Sequence, residues 1–180
     1  NALELIKKDF NNLLVVPGIS EVKAKRIYNS IVKYQSTDMI IVELKKLGFT
    51  INEALTILNK YGENSISIVE KDIYKLIDIV DFTKLDKIFL SIKDAESHER
   101  VIACMIEAFK RLEMRQGDTY FLKEELYNYL RNDFKIFISE DEFDEYILEL
   151  INNEIVVLRG IRYYLKEYYD YEEAIAYHLA

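Results

Sequence analysis

The chain has 180 residues, half of them hydrophobic, with five glycines, one proline and a net charge of −8. That length suits one large domain or two small ones with an ordinary core, and the scarcity of helix breakers excludes disordered linkers and favours a mainly helical fold. The single cysteine, Cys104, excludes an internal disulfide and a cysteine-based zinc site, and no apolar run reaches the ~20 residues that cross a bilayer, so a cytoplasmic chain with no membrane partner is expected.

In chain order, Leu3 to Phe10 reads as a short helix, with Leu3, Ile6 and Phe10 at helical spacing. Leu13–Val16 reads as the first helix of a hairpin, turned at Pro17-Gly18. A second helix runs from about Glu21 to Tyr34, with Ala24, Ile27, Tyr28 and Ile31 as its buried face. Thr37 or Asp38 is expected to cap a further helix through Leu47, ended by Gly48. Thr50 and Glu53 form a capping box for the next helix, which ends at Tyr61-Gly62 by the same glycine device. Short helical turns are expected over Ser65–Glu70 and Asp72–Ile77, then a helix over Lys84–Ile92 after Val80-Asp81-Phe82-Thr83.

Ser97 is expected to cap a long helix to about Gln116, with Val101, Ile102, Met105, Ile106, Phe109 and Leu112 inward. Gly117-Asp118 turns the chain into a short strand at Thr119–Phe121. A helix over Lys123–Arg131 follows, then one to Ile151 opened by the capping box Ser139–Glu142. Glu154–Leu158 and Ile161–Leu165 read as a β-hairpin around Arg159-Gly160, and Tyr168–Ala180 as a closing helix. Helix, strand, helix, helix and two-stranded wing is the order of a winged-helix domain. The expected fold is therefore mainly α: a helix-hairpin-helix bundle over residues 1–92, with hairpins near 13–34 and 76–92, and a winged-helix-like domain over 93–180.

The candidate chemistry sits in the first hairpin. Gly18 lets the backbone approach a ligand closely, and the N–H groups beyond it open the N-terminus of a helix, where unsatisfied donors and the helix dipole bind anions. Pro17, Gly18, Ile19, Ser20, Lys23, Lys25 and Arg26 are the candidate contacts to a DNA backbone, sequence-independent and salt-sensitive. Ser20 can also cap the helix itself, and Glu21 places a negative charge near the same point. A phosphate contact and a plain helix-turn-helix corner with a solvated basic face both stay open.

Charge is unevenly spread. Residues 1–34 carry six basic and three acidic groups, whereas residues 131–180 carry five and twelve. The expected third helix of the winged helix holds Glu140, Asp141, Glu142, Asp144, Glu145 and Glu149, with no Lys or Arg between Glu140 and Glu154. In DNA-binding winged helices that helix enters the major groove; here it reads as a structural or protein-docking element, and the acidic C-terminal third favours a protein partner. His98 and His178 read as surface residues, and Tyr163, Tyr164, Tyr168, Tyr169, Tyr171 and Tyr177 as interface or core. There is no phosphate loop, nucleophile elbow or zinc-protease motif, so no catalytic residue, metal or cofactor is expected.

The order of motifs resembles the N-terminal region of the long RecD-like DNA helicases, relatives of the exonuclease V alpha subunit. Leu13–Ile27 resembles that family's hairpin with a Pro-Gly-Ile-Gly core. Leu47-Gly48 to Tyr61-Gly62 resembles its helix pair ending in Tyr-Gly, and Asp72-Ile73-Tyr74-Lys75-Leu76 its Asn-Pro-Tyr-x-Leu segment. Ile79 to Asp86 resembles a further Gly-Ile-Gly-Phe-Lys-Thr-Ala-Asp hairpin. Glu99-Arg100 with Ala103, then Gly117–Tyr120 and Glu124-Glu125-Leu126, resemble the helix and Gly-His-Thr-Tyr-Leu entry that follow. Tyr164-Leu165 and Glu173–Ala176 resemble the exit into the motor domains.

The resemblance implies an N-terminal fragment of an ATP-dependent 5′-to-3′ DNA helicase of DNA repair and recombination, ending before the motor. ATP and magnesium would bind only in those motor domains, which would be this segment's partners in the same chain. Ser20 stands where the family's first hairpin has its second glycine, and Ile79 and Asp81 replace both glycines of the later one. The later hairpin is thus expected to pack without holding phosphate.

Overall fold

The computed structural model describes residue 6 and residues 9–179. The expected helix over Leu3–Phe10 lies for the most part outside the described residues. The chain divides into two compact units, Asn1–Asp81 and Phe82–Ala180. The division falls earlier than the boundary after residue 92 expected from the sequence, and inside the expected second hairpin.

In the first unit a 3₁₀ turn over Phe10–Leu13 leads through bends to Pro17-Gly18. The helix expected over Leu13–Val16 does not form. Four residues return too few hydrogen bonds to offset helix nucleation, and Pro17 steers Val16 away from the α region. Asp9 caps the turn instead, its Oδ1 accepting from the Asn11 N–H at 2.9 Å.

Helix α1 then runs unbroken over Glu21–Lys46. The sequence reading divided this stretch into two helices with a cap at Thr37 or Asp38. No glycine or proline interrupts it. Ser30 and Ser36 donate their hydroxyls back to Arg26 O at 3.0 Å and Lys33 O at 2.9 Å, so serines that could have ended a helix are absorbed by it. Its inner face is thinner than the periodicity implied. Ala24 and Leu44 are buried and Tyr28 and Ile31 half-buried, while Ile27 is 38% exposed. Phe10 of the 3₁₀ turn meets Tyr28 edge-on at 6.4 Å.

At the C-terminus of α1 the Gly48 N–H donates to Lys45 O at 3.0 Å and the Phe49 N–H to Leu44 O at 3.1 Å. This is the Schellman pairing, and Gly48 supplies the φ of 107° that it needs. Phe49 and Leu44, the two residues the motif brings together, are both buried. Helix α2, Ile51–Tyr61, opens with the expected capping box: Thr50 Oγ1 accepts from Glu53 N at 3.3 Å and Glu53 Oε2 from Thr50 N at 2.6 Å.

Helix α2 does not end as α1 does. Gly62, at φ 58° and ψ −132°, passes the chain into a 3₁₀ turn over Gly62–Asn64 and helix α3, Ser65–Lys71. The buried Ser65 hydroxyl donates to Gly62 O at 2.6 Å. A last 3₁₀ turn, Ile73–Leu76, is capped by Asp72. Lys60 pairs with Asp78 at 2.5 Å and the Tyr61 hydroxyl donates to Lys75 O at 3.2 Å, which ties the end of α2 to this turn. Ala54, Ile57, Val69, Ile73, Tyr74 and Leu76 are buried in this unit.

The second unit opens with α4, Phe82–Phe89, which starts two residues earlier and stops sooner than expected. Helix α5, His98–Gln116, carries the largest share of the core: Val101, Cys104, Met105, Ala108, Phe109 and Leu112 are all buried. Ser97 sits at its N-cap without a side-chain cap; its hydroxyl donates to Asp94 O at 2.7 Å. Gly117 ends α5 in the left-handed conformation. Strand β1 is Tyr120–Phe121, α6 Lys123–Asn132, α7 Glu140–Asn152, β2 Val156–Arg159, β3 Arg162–Leu165 and α8 Lys166–Leu179.

The capping box between Ser139 and Glu142 that starts α7 forms as expected. The three strands form one antiparallel sheet in the order β1-β3-β2. The wing turns at Gly160-Ile161, one residue later than expected, so Arg159 belongs to β2 and pairs in register with Arg162. The fold is mainly helical with this small antiparallel sheet.

Candidate nucleic-acid interface

The first hairpin brings Pro17, Gly18, Ile19 and Ser20 to the N-terminus of α1. Gly18 takes φ 86°, and among the described residues nothing lies within 4 Å of where a side chain would start, which leaves its backbone open on that side. The Ile19 N–H is used by Val16 O at 3.2 Å. Ser20 is the N-cap, its hydroxyl accepting from Lys23 N at a long 3.4 Å, while Ala24 N donates to Ser20 O at 2.8 Å. Glu21 and Val22 are the first two helical residues, whose N–H groups precede the helical ladder.

The three basic candidates are not equivalent. Lys25 pairs with Glu21 at 2.7 Å, and its ammonium also lies 5.3 Å from the Phe10 ring centre. The Lys25 hydrogen bond holds the Glu21 carboxyl below its ordinary value. The charge that Glu21 would set against a phosphate is thus met by Lys25. Lys23 and Arg26 are exposed and have no ion-pair partner among the described residues. Among the described residues they are the charges at this end of α1 available to an anion.

Beside them runs an exposed apolar stretch, Leu14-Val15-Val16, with Val15 81% exposed. In the second unit the acidic helix α7 has its carboxylates largely engaged within the fold. Lys123 pairs with Asp144 at 2.7 Å and Glu140 at 3.7 Å, Glu142 serves the capping box, and Glu149 Oε2 lies 2.7 Å from His98 Nε2. His98 and His178 are exposed. Among the tyrosines, Tyr164 is buried between Tyr120 and Tyr169, with ring centres 5.6 and 5.4 Å away, whereas Tyr171 and Tyr177 are exposed. Among the described residues no group of three or more His, Cys, Asp or Glu could hold a metal ion, and no helix is long and apolar enough to cross a membrane.

The sequence places Arg159 in the turn of the β-hairpin and Arg162 among the acidic neighbours of the C-terminal tyrosines, without pairing the two. Their signal was present in Arg159-Gly160-Ile161-Arg162, but the turn was set one residue early, which hid that the two arginines face each other across the hairpin.

Helices α1, α2 and α3 follow one another through the positive-φ glycines Gly48 and Gly62, and α1 opens with a basic cluster. Residues 33–120 match the family described as the ATP-dependent RecD2 DNA helicase HHH domain. The chain is also 25% identical over 122 residues to the ATP-dependent RecD2 DNA helicase of Deinococcus radiodurans, an alignment covering 66% of this chain and 17% of that protein. Both findings bear out the resemblance to the N-terminal helix-hairpin-helix region of a RecD-like helicase. The chain spans about a sixth of the length of the curated relative it matches. The matched segment begins at Lys33, inside α1, so the first hairpin precedes it.

Proposed function

We propose that this chain is an accessory module that binds DNA without sequence preference and serves as a scaffold in an ATP-dependent 5′-to-3′ RecD-like DNA helicase. Pro17, Gly18, Ile19 and Ser20 present the start of α1 to a backbone phosphate. Lys23 and Arg26 supply its charge, and Lys25 offsets Glu21. ATP and magnesium act in the motor domains of the parent protein, which are this module's partners. The winged-helix-like unit supports them and uses its acidic face toward protein.

The observation that carries this reading is the continuity of α1. One helix begins at the basic turn and runs into the segment that matches the RecD2 domain. The phosphate-facing end and the recognised domain therefore share a single element. A second reading is a protein-interaction module with little DNA affinity, favoured by the exposed Leu14-Val15-Val16 stretch and by the Ser20 cap.

Binding of the chain to fluorescent single-stranded, duplex and forked DNA, titrated with salt, separates the two. The first reading expects saturable binding that weakens with salt and is lost in Lys23→Glu/Arg26→Glu. Absence of binding at low salt, where charge interactions reach furthest, sides with the second.

A further inference from the structure

We propose that the wing tip is a second nucleic-acid backbone contact, made by Arg159 and Arg162. This inference rests on the DNA-binding reading above but uses a different unit of the chain.

Residues 82–180 hold 13 basic and 21 acidic side chains. Against that background, the stretch from Ile155 to Lys166 has three basic residues, Arg159, Arg162 and Lys166, and no acidic one. Lys166 is paired with Asp170. Arg159 and Arg162 are exposed and have no ion pair with a carboxylate among the described residues.

The two arginines are register partners on β2 and β3, flanking the two-residue turn. Like charges directly opposite on one sheet destabilise the pair, so the arrangement has a cost in the free protein that an anion relieves. Both guanidiniums also lie over tyrosine rings. Arg162 lies 4.4 Å from the Tyr120 ring centre. Arg159 lies 5.1 Å from that of Tyr169 and donates from Nε to its hydroxyl at 2.9 Å. The Tyr169 hydroxyl is anchored in turn by Glu173.

Contact with a tyrosine ring restrains each guanidinium at the turn. Its remaining N–H edge then meets a phosphate in the forked geometry that arginine favours. Between them Ile161 projects at the tip, 74% exposed, where an apolar side chain can lie against sugar. The acidic helix α7 need not approach DNA, because the contact belongs to the wing.

The test is salt-titrated anisotropy of the whole chain with a labelled fork and a labelled duplex. It compares the parent, Arg159→Gln/Arg162→Gln, Arg159→Lys/Arg162→Lys and Lys23→Glu/Arg26→Glu, with each fold checked by thermal melting. The Gln pair is expected to weaken binding at least about tenfold and to lower the log K against log salt slope by about 2, one unit for each lost phosphate contact. The Lys pair, charged but unable to stack and fork, is expected to fall between.

Binding and slope unchanged in the Gln pair, with loss only in Lys23→Glu/Arg26→Glu, would overturn the wing contact and leave the hairpin reading standing. Loss in the Gln pair alone would support the wing and remove the hairpin. No DNA binding by the parent would overturn both. Polyglutamate competing as well as DNA for the wing would assign it to an acidic protein partner and overturn this proposal.

Discussion

Arg100 grips Asp86 through two parallel hydrogen bonds, Nε to Oδ1 at 2.7 Å and Nη2 to Oδ2 at 3.0 Å. Arg100 is 2% exposed, and its guanidinium also donates to Ala95 O at 2.7 Å and Phe134 O at 3.0 Å. Asp86 closes one motif of the helicase resemblance and Arg100 belongs to the next, so two motifs read separately along the chain are joined by one ion pair in space. The pair places α4 with the second unit. Removing one member of such a buried pair leaves an uncompensated charge. Arg100→Ala is expected to destabilise the chain by about 3–5 kcal/mol in urea unfolding. Arg100→Lys, which keeps charge but cannot fork, should recover only part of that loss.

The unbroken course of α1 makes a sharp prediction. Ser36 lies at the point where the sequence suggested a break between two helices. If a break existed, proline would be tolerated there. In a continuous helix Ser36→Pro removes a hydrogen bond and clashes with the preceding turn, at a cost of about 3 kcal/mol. A lowered urea midpoint with reduced helical circular dichroism is expected; an unchanged midpoint would restore the two-helix description.

Cys104 faces the core of the second unit, and burial pushes its thiol up to about 12. The thiolate is the reactive form. The native chain should therefore release no colour with a disulfide reagent at pH 8 over the time in which urea-unfolded chain reacts fully. Rapid native labelling would contradict the burial.

Stability should also depend on pH through Glu99. A hydrogen bond from Lys93 holds its carboxyl below the ordinary value of 4.5. A carboxyl depressed in the folded state stabilises at pH above its unfolded value, and that contribution is lost as pH falls through the lower folded value. The gap in urea midpoint between the parent and Glu99→Gln is expected to be widest near neutral pH and to close on acidification below about 4.5. A gap independent of pH would show that Glu99 contributes by packing alone.

Much of the architecture was legible because it is written in a few neighbouring residues. Thr50 with Glu53 and Ser139 with Glu142 form capping boxes whichever tertiary structure surrounds them. Gly48 and Gly117 end helices because few other residues take those backbone angles at low cost. The candidate hairpin was legible for the same reason, since Pro17-Gly18 and the basic residues after it are contiguous. Its internal balance was legible only in part. The sequence showed that Glu21 opposes phosphate and, by helical spacing, that Lys25 lies near it; the structure shows the pair formed and Lys23 and Arg26 left exposed.

By itself, then, the sequence determined a mainly helical chain, its caps and turns, the β-hairpin near its C-terminal end and its likeness to the RecD-like helicases. Those are properties of local propensity, whose free energies are settled within a turn or two of chain. Only the tertiary structure decided that α1 is one helix, that Asp86 and Arg100 join two motifs, that the chain divides after Asp81, and that Arg159 faces Arg162 at the wing tip. Each depends on partners distant in sequence or on a register that one residue shifts, and a one-residue shift in a strand moves every side chain to the opposite face.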